Sequence, residues 1–216
     1  MEINSIKGKG YDSNVYLVRD EKNVIIDAGT GDNFDYVMES LRELKFDPSE
    51  LDILINTHCH YDHVGGDPCF VDETGCRILA SEGTAEFLKN GDEDAILLEM
   101  FNAEMQLVEV DATLEDGQLL DFGKYRLRVI HTPGHSTDCI SLYEPDEKVL
   151  FSGDTVFGNG IGRVDLPYSD RDEMRESLRK LSELSVSELY PGHGPTVTRR
   201  AQRCLRRSLN FLPRGI

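Results

Sequence analysis

The sequence predicts an α/β or α+β fold, and three observations point there. Short apolar runs bounded by polar turns alternate with segments in which apolar residues recur at helical spacing. Apolar residues make up 39% of the 216 residues, enough to fill a sizeable core. No linker-like stretch divides the chain, so residues 1–216 read as one domain.

The elements follow in order. Asn14-Val15-Tyr16-Leu17-Val18 and Val24-Ile25-Ile26-Asp27 flank the polar turn Arg19-Asp20-Glu21-Lys22-Asn23 and read as a β-hairpin. The period then changes: Phe34, Val37, Met38, Leu41 and Leu44 keep helical spacing behind the candidate N-cap Asp32, and the pattern stops at Asp47-Pro48. Leu51-Asp52-Ile53-Leu54-Ile55-Asn56 reads as a buried strand, so the run Thr57-His58-Cys59-His60-Tyr61-Asp62-His63 falls where a strand gives way to a loop. The period of two puts His58 and His60 on one side of an extended chain and turns Cys59 away as buried filler. Gly65-Gly66 lets the chain turn away closely behind them. Strands are expected near 118–122, 125–131, 139–144 and 148–152, and a helix near 170–184 with Met174, Leu178, Leu181 and Leu184 on one face. Ala201, Leu205 and Leu209 place a last helix after a cap at Thr196 or Thr198.

Lys plus Arg number 23 against 40 Asp plus Glu, a net charge of −17, which excludes nucleic acid as a general partner. One region departs from this balance: no acid follows Glu188, while Arg199, Arg200, Arg203, Arg206, Arg207 and Arg214 form a local basic surface. The amino terminus carries an acid at position 2 and no apolar signal segment, and no run is long enough to span a bilayer; the expectation is a soluble cytoplasmic protein without a membrane partner. Five cysteines (59, 69, 76, 139 and 204), an odd number without C-x-x-C pairs, suit a reducing compartment.

Chemistry concentrates in seven side chains: His58, His60, Asp62 and His63 in the run above, then His135, Asp154 and His193. They include five of the six histidines, and each later one follows a candidate strand. A tetrahedral structural zinc site closes itself with four ligands; seven nitrogen and oxygen donors suit two adjacent cations sharing a carboxylate. Such a pair leaves positions open for water and substrate, which makes a hydrolytic centre the leading reading. His131 precedes His135 by four residues, but Pro133-Gly134 breaks any shared helix, so it reads as a strand-end residue. Asp27-Ala28-Gly29 has the composition of an Asx-type turn. The glycines of Gly158–Pro167 lack the strand–helix junction of a dinucleotide-binding loop.

The cluster H-x-H-x-D-H resembles that of the metallo-β-lactamase superfamily. So do Asp27 in V-I-I-D-A-G, His135 in T-P-G-H-S, Asp154 in F-S-G-D-T and His193 in P-G-H-G, all in family order. The resemblance implies an αββα sandwich of two mixed sheets with the metals at one edge. It implies that His58, His60 and His135 hold one divalent ion and that Asp62, His63 and His193 hold a second. Asp154 would bridge them and Asp27 would orient the cluster through hydrogen bonds, the alternative to the Asx turn. Zinc is the expected metal, with iron or manganese as alternatives.

Gly162-Arg163-Val164-Asp165 is similar to the G-R-x-D segment of short glyoxalase II-like thioester hydrolases and of persulfide dioxygenases, and the nineteen-residue step from His135 to Asp154 suits both. Arg163 is read either as a clamp on an anionic substrate group or as an internal partner of Asp165. The first reading of function is hydrolysis of a small anionic thioester by a metal-bridging hydroxide, with Asp62 and Asp154 catalytic. The alternative is a persulfide dioxygenase with one iron on His58, His135 and Asp154. A lactonase is a lesser alternative, since Thr155-Val156-Phe157 lacks the tyrosine that lactonases of this fold carry after the bridging Asp. A metal-binding protein without turnover is another. Twenty-three residues follow His193, too few for the helical domain that supplies glutathione contacts in longer glyoxalase II enzymes.

Overall fold

Strands with apolar side chains on both faces must be covered on both faces, and this dictates the architecture. The computed structural model describes residues 1–212. Strands β1 (Glu2–Ile6), β2 (Val15–Arg19), β3 (Asn23–Ile26), β4 (Leu51–Ile55), β5 (Arg77–Ser81) and β6 (Ala112–Leu114) form a six-stranded sheet in that order. It is antiparallel from β1 to β3 and parallel from β3 to β6. The second sheet is built from β7 (Leu119–Asp121), β8 (Arg126–His131), β9 (Ile140–Glu144) and β10 (Val149–Gly153). After a small ribbon of β11 (Val156–Phe157) and β12 (Gly160–Ile161), the chain returns as β13 (Glu188–Pro191) to pair parallel with β10. The strand order is β13-β10-β9-β8-β7.

Alternate residues separate the layers. Val24, Ile26, Ile53 and Ile55 meet Val129, Leu142 and Phe151 between the sheets. Their neighbours Ile25 and Leu54 face the other way, onto Val37, Met38 and Leu41 of α1 (Phe34–Glu43). On the far side Ile130 and Leu150 pack on Met174, Leu178 and Leu181 of α7 (Arg171–Ser182) and Leu205 of α8 (Ala201–Ser208). Each such buried side chain contributes roughly 1.5–3 kcal/mol. The result is the αββα sandwich of two mixed sheets. The remaining helices, α2 (Tyr61–Val64), α3 (Asp67–Thr74), α4 (Glu82–Asn90), α5 (Glu93–Ile96) and α6 (Leu98–Phe101), lie in the connections of the first half.

The hairpin, the long strands and the helices at 34–43 and 171–182 stand where the periodicity placed them, but two caps do not. Asn33, not Asp32, is the N-cap of α1, and its side chain donates to Asp12 Oδ2 at 2.8 Å instead of capping the helix. Helix α8 starts behind Arg200 at φ 69° with no side-chain cap, rather than at Thr196 or Thr198. Its Arg199, Arg200, Arg203, Arg206 and Arg207 are exposed; Arg214 lies outside the described residues. Among the described residues all five cysteines are free, and no helix is long and apolar enough to cross a membrane.

Candidate metal centre

Parallel pairing brings strand ends to one edge. The carboxyl ends of β3 and β4 lie together in one sheet, and those of β10 and β13 in the other. Asp27, the 57–63 segment, Asp154 and His193 follow these four ends, where open α/β sheets present ligand-binding residues. The Gly65-Gly66 pair does its work by close approach, since a Cβ on Gly65 would lie 2.5 Å from Thr30 O and one on Gly66 2.3 Å from Ala28 O. Neither glycine has a positive φ.

All seven donor residues of the sequence reading converge. Donor atoms of His58, His60 and His135 lie within 4.8 Å of one another, as do those of Asp62, His63 and His193. A third set of His58, His63 and Asp154 joins the two. Asp154 faces both sides: Oδ1 is 3.4 Å from His63 Nε2, and Oδ2 is 3.5 Å from His135 Nε2 and 3.6 Å from His193 Nε2. His193 Nε2 also lies 3.0 Å from Asp62 Oδ2. Gly192 permits this crowding, because a Cβ there would stand 2.2 Å from Asp154 Oδ1.

A hydrogen-bond chain sets the histidine tautomers. The Asp27 carboxylate accepts from Thr57 N at 2.8 Å, from Thr57 Oγ1 at 2.9 Å and from His63 Nδ1 at 2.9 Å. Because the Thr57 hydroxyl donates its only proton to Asp27, it accepts from His58 Nδ1, 3.1 Å away. His135 Nδ1 donates to Arg163 O at 2.9 Å. In His58, His63 and His135 the Nε2 lone pair is therefore left pointing into the cluster, the state in which imidazole ligates metal. The hydrogen bonds of the Asp27 carboxylate go to Thr57 and His63 and not to its own turn.

Burial and charge act in opposite senses. Burial drives His60 down to about 3 and His58 well below the usual histidine range, keeping both neutral. Burial alone would protonate Asp154, but His63 and His193 beside it hold it ionised, below the carboxylate range. Burial also disfavours the His63 cation, yet Asp27, Asp154 and Asp62 outweigh it and raise that group. His60 Nε2, His63 Nε2 and Asp154 Oδ1 are buried without a hydrogen-bond partner. His63 Nε2 and Asp154 Oδ1 lie 3.4 Å apart, and two such unsatisfied polar atoms are costly unless a cation satisfies them; imidazole plus carboxylate is a donor set for divalent metals. The residues fit divalent metal ions.

Other predicted residues fall nearby or apart. Arg163 borders the cavity above the cluster, but its guanidinium is held in a fork by Asp165, with Nε–Oδ1 2.9 Å and Nη2–Oδ2 3.1 Å. What Arg163 gives the site directly is its carbonyl. Cys59 turns away, donating to Ala95 O at 3.2 Å. His131 ends β8, and no hydrogen bond links its ring to the cluster. Sequence reasoning missed Thr57, and also Asn14, whose side-chain amide donates to Pro191 O at 3.0 Å and Gly194 O at 2.9 Å, on either side of His193. It missed Asp138 too, which accepts from Cys59 N at 2.8 Å and Thr84 Oγ1 at 2.7 Å. A polar residue opening an apolar run was the one available signal for Asn14.

The cavity over the cluster has a volume of about 510 Å³, with Asp62, His135, Asp154 and His193 at its base and Tyr11, Met100 among its rim residues. Residues 8–193 match the metallo-beta-lactamase superfamily. A probable metallo-hydrolase of Methanocaldococcus jannaschii is 36% identical, over 89% of this chain and 92% of that one. The human acyl-coenzyme A thioesterase MBLAC2 is 31% identical over 95% of this chain and 81% of its own. The hydroxyacylglutathione hydrolase GloC of Haemophilus influenzae is also 31% identical, over 92% and 93%. Among solved structures, TTHA1623 in a di-iron-bound form superimposes with a TM-score of 0.80 at 26% identity, covering 97% of this chain and 100% of that one. The BLEG-1 B3 metallo-beta-lactamase gives 0.82 at 24% identity, over 98% of each.

Proposed function

The chain belongs to the metallo-β-lactamase superfamily, and from that premise we propose that it is a binuclear metallo-hydrolase of small thioesters, built as one domain. The observation that carries this reading is Asp154, a buried carboxylate with one oxygen toward His63 and the other toward His135 and His193, so that a single side chain faces both donor sets. In this reading His58, His60 and His135 hold one divalent cation, Asp62, His63 and His193 the second, and Asp154 both. Zinc suits the nitrogen-rich donors, and the di-iron form of a structural relative makes iron the alternative.

Two divalent ions held there would supply Lewis-acid polarisation of the substrate carbonyl and a water acidic enough to react at neutral pH. The chain's own residues do the rest. Asp62, at the edge of the donor set and facing the cavity, would orient the attacking water, and Asp154, with an oxygen toward each donor set, would serve both. Asp27, Thr57 and the Arg163 carbonyl hold three imidazoles in the ligating tautomer. Thioesters are favoured because two relatives are named for thioester hydrolysis. An anionic thiol suits the exposed arginines of α8, which packs against β11, where Phe157 lines the cavity.

The test is thiol release from small thioesters with oxygen consumption followed in parallel. The expected outcome is thiol release without oxygen uptake, impaired by His63→Ala or His193→Ala. Stoichiometric oxygen uptake on a persulfide, with iron bound and no thioester turnover, would replace this reading by the mononuclear dioxygenase on His58, His135 and Asp154.

A further inference from the structure

The rim of the cavity is built, and its construction says which end of a substrate it takes. Helix α6 has only four residues, and both of its flanking positions are non-glycine residues in the left-handed region, Leu97 at φ 66° and Asn102 at φ 48°. Such a backbone persists only where its surroundings over-determine it. Here Phe101 is braced by Tyr11, edge to face at 5.9 Å and 82°, and by Tyr61 at 5.6 Å. Tyr168 ties the segment to the opposite loop by donating to Asp92 Oδ2 at 2.8 Å. What this bracing presents is apolar and open: Met100 is 51% exposed and Tyr11 78%, both on the cavity. Large apolar side chains grouped around the mouth of a polar site mark a surface that something apolar covers.

The surface beyond the collar carries charge of one sign. From Asn90 to Gly123 the chain carries ten acids and no lysine, arginine or histidine, and Asp92, Glu93, Asp94 and Glu99 lie within or beside α5 and α6. None of these four acids lines the cavity, and Glu93 and Glu99 border a neighbouring one, so the surface the collar turns to the cluster is apolar. The exposed arginines of α8 stand on the face opposite its buried Ala201, Leu205 and Ser208, and none of them lines the cavity.

We propose that the collar of Tyr11, Leu97, Met100 and Phe101 is an acyl-chain subsite, so that the preferred substrates are thioesters of apolar acyl groups of several carbons rather than of short polar hydroxyacyl groups. The proposal rests on the thioesterase reading above and names its substrate class. Each methylene taken from water into such a subsite is worth up to about fourfold. Met, with its unbranched polarisable side chain, adapts to chains of different length.

The experiment uses N-acetylcysteamine thioesters of acetyl, butyryl, hexanoyl and octanoyl groups, whose thiol is neutral throughout, together with the matching non-hydrolysable thioethers titrated calorimetrically. Thioether affinity should rise about two- to fourfold per methylene, and kcat/KM should follow it. Met100→Ser and Phe101→Ser should weaken the octanoyl compounds at least tenfold more than the acetyl ones, and Met100→Leu should restore the dependence. Absence of turnover on every thioester would sink the thioesterase reading, whereas thioether binding still judges the collar. Affinity that is flat or falling with chain length, or Met100→Ser and Phe101→Ser variants that lose all lengths equally, overturns the proposal.

Discussion

Asp27 accepts a 2.9 Å hydrogen bond from His63 Nδ1 while its own backbone sits at φ 59°. A left-handed conformation costs a non-glycine residue on the order of 1 kcal/mol, and a fully buried carboxylate costs more unless its oxygens are met. Both costs are borne at the residue that joins Thr57 to the histidine cluster.

Asp27→Asn should keep the turn and lose the alignment. An amide offers one acceptor oxygen where the carboxylate offers two, so the bonds to Thr57 and His63 cannot all survive. Affinity for the metals should fall about 10- to 100-fold, as when a carboxylate behind a ligating histidine is removed. Competition with a chelator measures it. Unchanged affinity would reduce Asp27 to a turn residue.

Metal analysis should find about two ions per loaded chain. Asp154→Ala should weaken both, because each carboxylate oxygen faces a different part of the cluster; His193→Ala should weaken one and spare the other. Full occupancy and activity in Asp154→Ala would end the bridging role.

Gly192→Ala changes no donor, yet its Cβ would lie 2.2 Å from Asp154 Oδ1 and 2.7 Å from His63 Cε1. It should therefore lose metal and activity together. Gly194→Ala is the control: its Cβ meets nothing within 4 Å, and only its φ of +79° is strained. The expected effect there is a fall in Tm of about 2–4 °C, the equivalent of roughly 1 kcal/mol, with metal content intact. Normal metal content in Gly192→Ala would mean that the loop yields.

Among the described residues no ion pair engages the arginines of α8. Arg203→Ala with Arg206→Ala should raise KM for an anionic thioester a few-fold at low salt, with the effect fading as salt is added, and leave a neutral thioester unaffected. Arg163→Ala should do less, because Asp165 already occupies its guanidinium. Equal effects on both substrates would make the α8 arginines surface charge alone.

By itself the sequence determined which atoms could do chemistry here and where along the chain they stand. Histidine and aspartate side chains directly after apolar strands are legible locally, because the period of two and the strand-to-loop switch are properties of a few consecutive residues. The hairpin at 15–26 and the helices at 34–43 and 171–182 were legible for the same reason. Cap identity was not, because Asn33 has a tertiary competitor in Asp12. The segment from 82 to 101 broke into three short helices, with Leu88 and Ile96 in the core and Leu97, Met100 and Phe101 on a cavity formed with distant loops. The spacing of the histidines alone did not divide them into donor sets; the resemblance implied the division, and the tertiary structure brings His58 to His135 and His63 to His193. Only the tertiary structure decided that His63 is the histidine Asp27 bonds, that Asn14 holds the His193 loop, and that the Arg163 carbonyl meets His135. Those distances are set by the parallel pairing of β3 with β4 and of β10 with β13, and by the apolar core that fixes one sheet against the other; no local pattern encodes them.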